Sequence, residues 1–133
     1  MADEKKQLSV LLIDDDAFLL SMYATKFQKA GFTVTTTARA NEALKKIHDG
    51  LTPDILLVDI VMPEVTGLEF VTALRKDGLV PKAVVIMLTN DNGQDEISTA
   101  KDLKVAGYIV KATSTPSEVV ALVTDMYEKH TSA

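Results

Sequence analysis

Leu8–Ile13 (LSVLLI), Asp54–Asp59 (DILLVD) and Ala83–Thr89 (AVVIMLT) are apolar runs, too short for buried helices and too continuous for strands with one wet face. Strands of that kind need helices on both sides, and the intervening sequence supplies them. Leu19, Leu20, Tyr23 and Phe27 recur at helical spacing between a capping Asp16 and a stop at Gly31. Glu42 to Asp49 carries Leu44 and Ile47, and a third helix from Thr66 carries Leu68, Val71 and Leu74. Gln94 to Lys104 is helical by propensity, with a thin apolar stripe of Ile97, Ala100 and Leu103. Thr115-Pro116-Ser117-Glu118 opens a last helix with a capping box, and Val119, Val123 and Met126 line its inner face. Glu128 to Ala133 reads as a fraying tail.

Two weaker strands complete the pattern. Phe32–Thr37 (FTVTTT) is β-branched and more polar, which places it near an edge, and Tyr108–Val110 is short. Five strands alternating with five helices over 133 residues predict one α/β domain, a parallel sheet and right-handed crossovers. Composition excludes several classes of function. Cysteine is absent, which removes disulfides, thiolate nucleophiles and Cys-based metal sites. Nineteen acidic residues against 14 basic ones, net −5, and 5% aromatics argue against direct binding to nucleic acid or anionic membrane. No run approaches the length of a membrane span, and Met1 to Gln7 lacks the apolar stretch of a secretory signal, so the cytoplasm is expected.

In open sheets of this kind the site lies beyond the C-terminal strand ends. Those ends carry Asp14-Asp15-Asp16, Asp59, Thr89 and Lys111. Three consecutive aspartates repel one another, and helix capping requires only one of them. A solvated turn with one cap would account for the run but leaves Asp59 unexplained. A divalent cation accounts for both, and oxygen-only donors favour magnesium, manganese or calcium over zinc. Lys111 can neutralise an anion held there, and Thr89 can donate a hydroxyl hydrogen bond to it. Alone, the lysine is equally a surface residue and the threonine a good strand former.

As a constellation, LLIDDDAFLL, LLVDIVMPEVTGLEF, VIMLTN and GYIVK resemble the receiver domain of two-component response regulators over residues 7 to 129. The spacing Asp59-x-x-x-Pro63-x-x-x-Gly67 is the most specific element. The resemblance implies a flavodoxin-like, chemotaxis-receiver-like sheet in the order 2-1-3-4-5. It implies that Asp59 accepts a phosphoryl group from a sensor histidine kinase or histidine phosphotransfer protein. Asp15, Asp59 and the Val61 backbone carbonyl would bind Mg2+, with Mn2+ as a substitute, and Asp14 would hold metal-bound water. Thr89 and Tyr108 would be the switch pair, and Lys111 the partner of the phosphoacceptor. The output would be contact with a downstream protein through the last two helices and last strand, from a monomer or a phosphorylation-dependent dimer. The domain would catalyse its own phosphorylation and dephosphorylation, without turnover of a substrate.

The sequence departs from that family at several positions. Ala112 follows Lys111 where a cis proline is usual; a non-proline cis bond costs about 2.5–4 kcal/mol, so a trans bond is expected. Asn90 follows Thr89 where a smaller residue is common, and Lys104-Val105 replaces a glycine-alanine pair. Val61 and Asp91 occupy positions that tune phosphate lifetime in the family. Three other functions fit these residues less well. A haloacid-dehalogenase-type phosphatase would use Asp14 and Asp16 as nucleophile and acid, but the following Gly-Thr and a cap domain are missing. A degenerate receiver would not keep every acidic residue, Thr89 and Lys111. An FMN binder would not place acids where a phosphate must sit.

Overall fold

A computed structural model describes residues 7–90 and 103–131. The chain runs β1 (Ser9–Ile13), α1 (Ala17–Lys29), β2 (Thr33–Thr37), α2 (Ala40–His48), β3 (Ile55–Asp59), α3 (Gly67–Asp77), β4 (Val84–Thr89) and β5 (Gly107–Val110). A 3-10 turn (Lys111–Thr113) then leads into α4 (Pro116–Thr131). All strand pairings are parallel, in the order β2-β1-β3-β4-β5. The expected sheet is therefore present, with the polar strand β2 at one edge. Four helices lie among the described residues; the helix expected at Gln94–Lys104 falls outside them as far as residue 102.

Strand alternation divides the core in two. Leu11, Ile13, Leu56, Val58, Val85 and Met87 pack with Phe70, Val71 and Leu74 of α3 and Ala43 and Ile47 of α2. Val10, Leu12, Ile55, Leu57, Ile86 and Leu88 pack with Tyr23 and Phe27 of α1 and Val119 and Val123 of α4. Every residue of β3 and β4 is buried, because both lie inside the sheet with helices on each face. Their apolar runs follow from that position.

The helix signals are physically explicit. The Asp16 carboxylate accepts hydrogen bonds from the amides of Phe18 and Leu19, both at 3.1 Å. The box at Thr115 closes in both directions: Thr115 N–H donates to Glu118 Oε1 at 2.8 Å, and Glu118 N–H to Thr115 Oγ1 at 3.2 Å. A second box, Thr66 with Glu69, opens α3. Two boundaries differ from expectation. Helix α2 begins at Ala40 instead of Glu42, because Ala40 and Ala43 extend its buried face. Helix α4 continues to Thr131, so Glu128 to Thr131 is helix, with Lys129 paired to Asp125 one turn back.

Two backbone positions yield predictions. Gly67 starts α3 with its N–H donating to Ile60 O at 2.8 Å, and a Cβ there would fall under 3.0 Å from the Asp59 carbonyl group. The glycine of the Asp-Pro-Gly spacing thus lets a helix start press against the backbone that carries Asp59. Gly67→Ala is expected to destabilise the protein by about 1–3 kcal/mol, read by urea denaturation. Lys104 has φ 61, a left-handed conformation that its side chain disfavours, with its carbonyl and that of Leu103 held by Arg75. Lys104→Gly should therefore stabilise the protein by about 1 kcal/mol, seen as a higher midpoint in the same titration.

Candidate phosphoacceptor site

The register of three central strands assembles the site. Ile13 pairs with Val58, so Asp14 and Asp59 leave adjacent strands at the same level; Asp59 itself pairs with Leu88, one residue before Thr89. Asp14, Asp59 and Thr89 are all buried, with Asp14 at 1% and Asp59 at 2% exposure. Asp15 is exposed beside them. One carboxylate oxygen from each of Asp14, Asp15 and Asp59 lies within 4.8 Å of the others.

Lys111 inserts its ammonium between the two buried carboxylates. Its Nζ is 3.0 Å from Asp14 Oδ2 and 3.2 Å from Asp59 Oδ2. Only the Asp59 contact has hydrogen-bond geometry, so Asp14 Oδ2 is an ion-pair partner without a hydrogen bond. Asp14 Oδ1 accepts from Asp16 N–H at 2.9 Å, and Asp59 Oδ1 accepts from Val61 N–H at 3.3 Å. The peptide bond after Lys111 is trans, as expected. The lysine reaches the cluster nonetheless, from the first residue of the 3-10 turn that stands where the family has its cis proline.

Charge follows from this packing. Burial, then the negative charge of Asp14, raise the Asp59 carboxyl from 3.8 to about 7, against the pull of Lys111. Burial opposes the Lys111 charge, but the two carboxylates outweigh it and hold the ammonium above its ordinary value. One lysine therefore cannot neutralise three carboxylates, and the remaining negative charge is concentrated where water is partly excluded. An oxygen-only donor set with a buried carboxylate oxygen lacking a hydrogen bond fits a hard divalent cation.

Other expected residues are placed as follows. Tyr108 lies on β5 opposite Met87, with 38% of its surface exposed. Val61 projects into solvent at 62% exposure. Asp16, the acid required by the phosphatase alternative, is committed to capping α1. Asp91 lies outside the described residues. Tyr23 was legible in the sequence only as a core residue of α1. Its phenol is pushed up by burial and feels the charges of Lys111, Asp14 and Asp59 from the core beside them. An aromatic at helical spacing carries no sequence signal for that position. The ion pair of Arg39 and Glu64, 3.1 Å apart, joins the loops after β2 and β3 and was equally hidden. Cavities of about 680 Å³ open elsewhere, one of them around Ser9, Asp54 and Lys82 at the N-terminal strand ends.

Comparison with known proteins agrees with the geometry. Residues 10–124 match the response regulator receiver domain. The chain is 33% identical over 119 residues to the probable transcriptional regulator ycf27 of Guillardia theta, covering 90% of this chain and 45% of that protein. It is 33% identical over 124 residues to the response regulator protein VraR of Staphylococcus epidermidis, covering 91% and 57%. The chain thus spans about half the length of these relatives. Among solved structures, the chemotaxis response regulator CheY4 of Vibrio cholerae superposes with a TM-score of 0.82 at 28% identity, over 91% of this chain and 99% of that one. Among the described residues no helix is long and apolar enough to cross a membrane. Matched along most of its length and carrying a buried aspartate, an acidic pair and a lysine at the strand ends, the chain belongs to the response regulator receiver domain family.

Proposed function

We propose that this receiver domain acts as a phosphoryl-accepting switch of a two-component phosphorelay, with Asp59 as the acceptor. The observation that carries the proposal is the Asp59 carboxylate, buried and hydrogen-bonded to Lys111 at 3.2 Å within an acidic cluster. The donor would be a sensor histidine kinase or a histidine phosphotransfer protein. An O–P bond forms at Asp59 as the P–N bond of phosphohistidine breaks, and the leaving imidazole nitrogen takes up a proton. Such a transfer depends on placement and on neutralising the phosphoryl oxygens, not on covalent chemistry by other residues. The register that sets Asp59 level with Asp14 supports such a placement, and Lys111, 3.2 Å from Asp59, would supply one positive charge. Mg2+, or Mn2+ in its place, would be held by Asp15, Asp59 and the Val61 carbonyl, with Asp14 contributing through water, and would supply the remaining neutralisation.

The acyl phosphate adds charge and acceptor oxygens at Asp59. Thr89, one residue beyond its pairing partner, would respond first, and Tyr108 on β5 would follow. The surface of β5 and the last helices then becomes the contact for a downstream protein. The domain would promote its own phosphorylation and dephosphorylation without turning over a separate substrate. Incubation with Mg2+ and acetyl phosphate, followed by intact mass, is expected to show a single added phosphoryl group; no addition overturns the proposal.

Metal and proton compete at this site, which gives a second expected result. Asp59 must be ionised to bind a cation, so Mg2+ affinity should rise as pH increases through about 7. In thermal melts at pH 8, Mg2+ at 100 times its dissociation constant should stabilise the protein by about 2.7 kcal/mol. The shift should be much smaller in Asp15→Asn. An unchanged shift in that variant would place the metal elsewhere.

A further inference from the structure

Among the described residues, the edge strand β2 lacks the usual protection of a sheet edge. Exposed edges are commonly blunted by lysine, proline or an inward charge, because their free N–H and C=O groups template pairing with another strand. Strand β2 reads Thr33-Val34-Thr35-Thr36-Thr37: four threonines and a valine, all β-branched, with no charge and no proline. Thr33 N–H donates to Leu8 O, and Thr37 O accepts from Asp14 N–H, so residues 33, 35 and 37 turn their backbone groups toward β1. Val34 and Thr36 therefore turn theirs outward, and among the described residues neither has a hydrogen-bond partner on that side. The Thr36 side chain is exposed, and Val34 is half-buried.

We infer that β2 is a self-association edge, which pairs antiparallel with the β2 of a second copy of this chain about a twofold axis at Thr35. In that register Val34 of each strand faces Thr36 of the other, and the outward groups of both satisfy one another in about four hydrogen bonds. The pairing is isologous and closed, so it stops at a dimer. A second copy suits this edge better than a foreign peptide for two reasons. Recognition of a particular peptide needs pockets for alternate side chains, and the side-chain rows of β2 offer only threonine methyls and a half-buried valine. Close approach of two chains of net charge −5 also requires a locally neutral surface. The strand is uncharged, and the hollow beside Thr36 and Thr37 is lined by two acids, Glu42 and Asp49, and two bases, Lys45 and Lys46. A contact of this length falls below the roughly 1,200 Å² of a stable interface, so the dimer is weak. It is independent of the chemistry at Asp59.

The test is sedimentation velocity of the full chain, unphosphorylated, from about 10 µM to about 1 mM. A concentration-dependent dimer is expected, unchanged in Asp59→Asn. Thr36→Pro removes an outward N–H that the monomer does not use, which an edge strand tolerates, and should raise the dissociation constant at least about tenfold. If that variant does not fold by circular dichroism, Thr36→Lys replaces it, placing like charges diagonally across the pair about 7–8 Å apart. A monomer at every concentration overturns the inference. So does a dimer that survives the folded Thr36 variant, or a monomeric chain that nonetheless captures a synthetic TVTTT peptide.

Discussion

Asp59→Asn is expected to take up no phosphoryl group from acetyl phosphate under conditions where the wild type gains one per chain. The amide keeps the shape and the burial but is not a nucleophile. If intact mass shows equal labelling of variant and wild type, the acceptor is another residue. The same substitution should stabilise the protein in a pH-dependent manner. The Asp59 pKa is raised to about 7 in the fold, above its ordinary 3.8, so its stabilising contribution is complete below about pH 4 and lost as pH rises through about 7. Asparagine does not ionise and is free of that loss. In metal-free buffer the variant should therefore gain on the wild type between pH 4 and pH 8, by up to a few kcal/mol at about 1.4 kcal/mol per pKa unit. Urea denaturation at both ends of the range measures this. Parallel pH curves for the two proteins would show that Asp59 is not held protonated by its surroundings.

Lys111→Met should have the second large effect, and on two observables that separate. Asp14 and Asp59 share the ammonium at 3.0 and 3.2 Å, with the lysine side chain 9% exposed. Removing it leaves two buried carboxylates facing each other. At pH 8 without metal the variant should lose about 3–5 kcal/mol, the usual result of breaking a buried ion pair from one side. The loss should shrink at pH 5, where Asp59 carries a proton. Mg2+ should restore part of the stability, because charge of either origin relieves the repulsion. The rate of phosphoryl uptake should remain lower by on the order of 10²–10³, as when one preorganised donor is lost from a transition-state site. Time-resolved intact mass and denaturation at the two pH values distinguish these effects. Full recovery of the rate with Mg2+ would make Lys111 a structural cation only.

Much of this molecule was legible because its signals are local. The buried runs of β3 and β4 need only their composition, since a strand covered on both faces has no polar position. The caps at Asp16 and Thr115 need only a side chain two or three residues from a free amide. The acidic run and the Asp59-Pro63-Gly67 spacing marked the site for the same reason, as fixed offsets within one loop. The edge position of β2 followed from its polarity.

The tertiary structure decided what depends on distance. No sequence rule states that Lys111, 52 residues from Asp59, reaches it from a 3-10 turn without the family's proline. That contact exists because parallel register carries β1, β3, β4 and β5 to one level, and a lysine stem spans the remaining gap. Tyr23 feels the charges of the site only because α1 packs on the same sheet, and the link between Arg39 and Glu64 exists because two loops meet. The near-neutral titration of Asp59 is likewise a property of packing: an aspartate in a sequence is an ordinary acid. Burial beside a second carboxylate that shares its lysine makes it a different one.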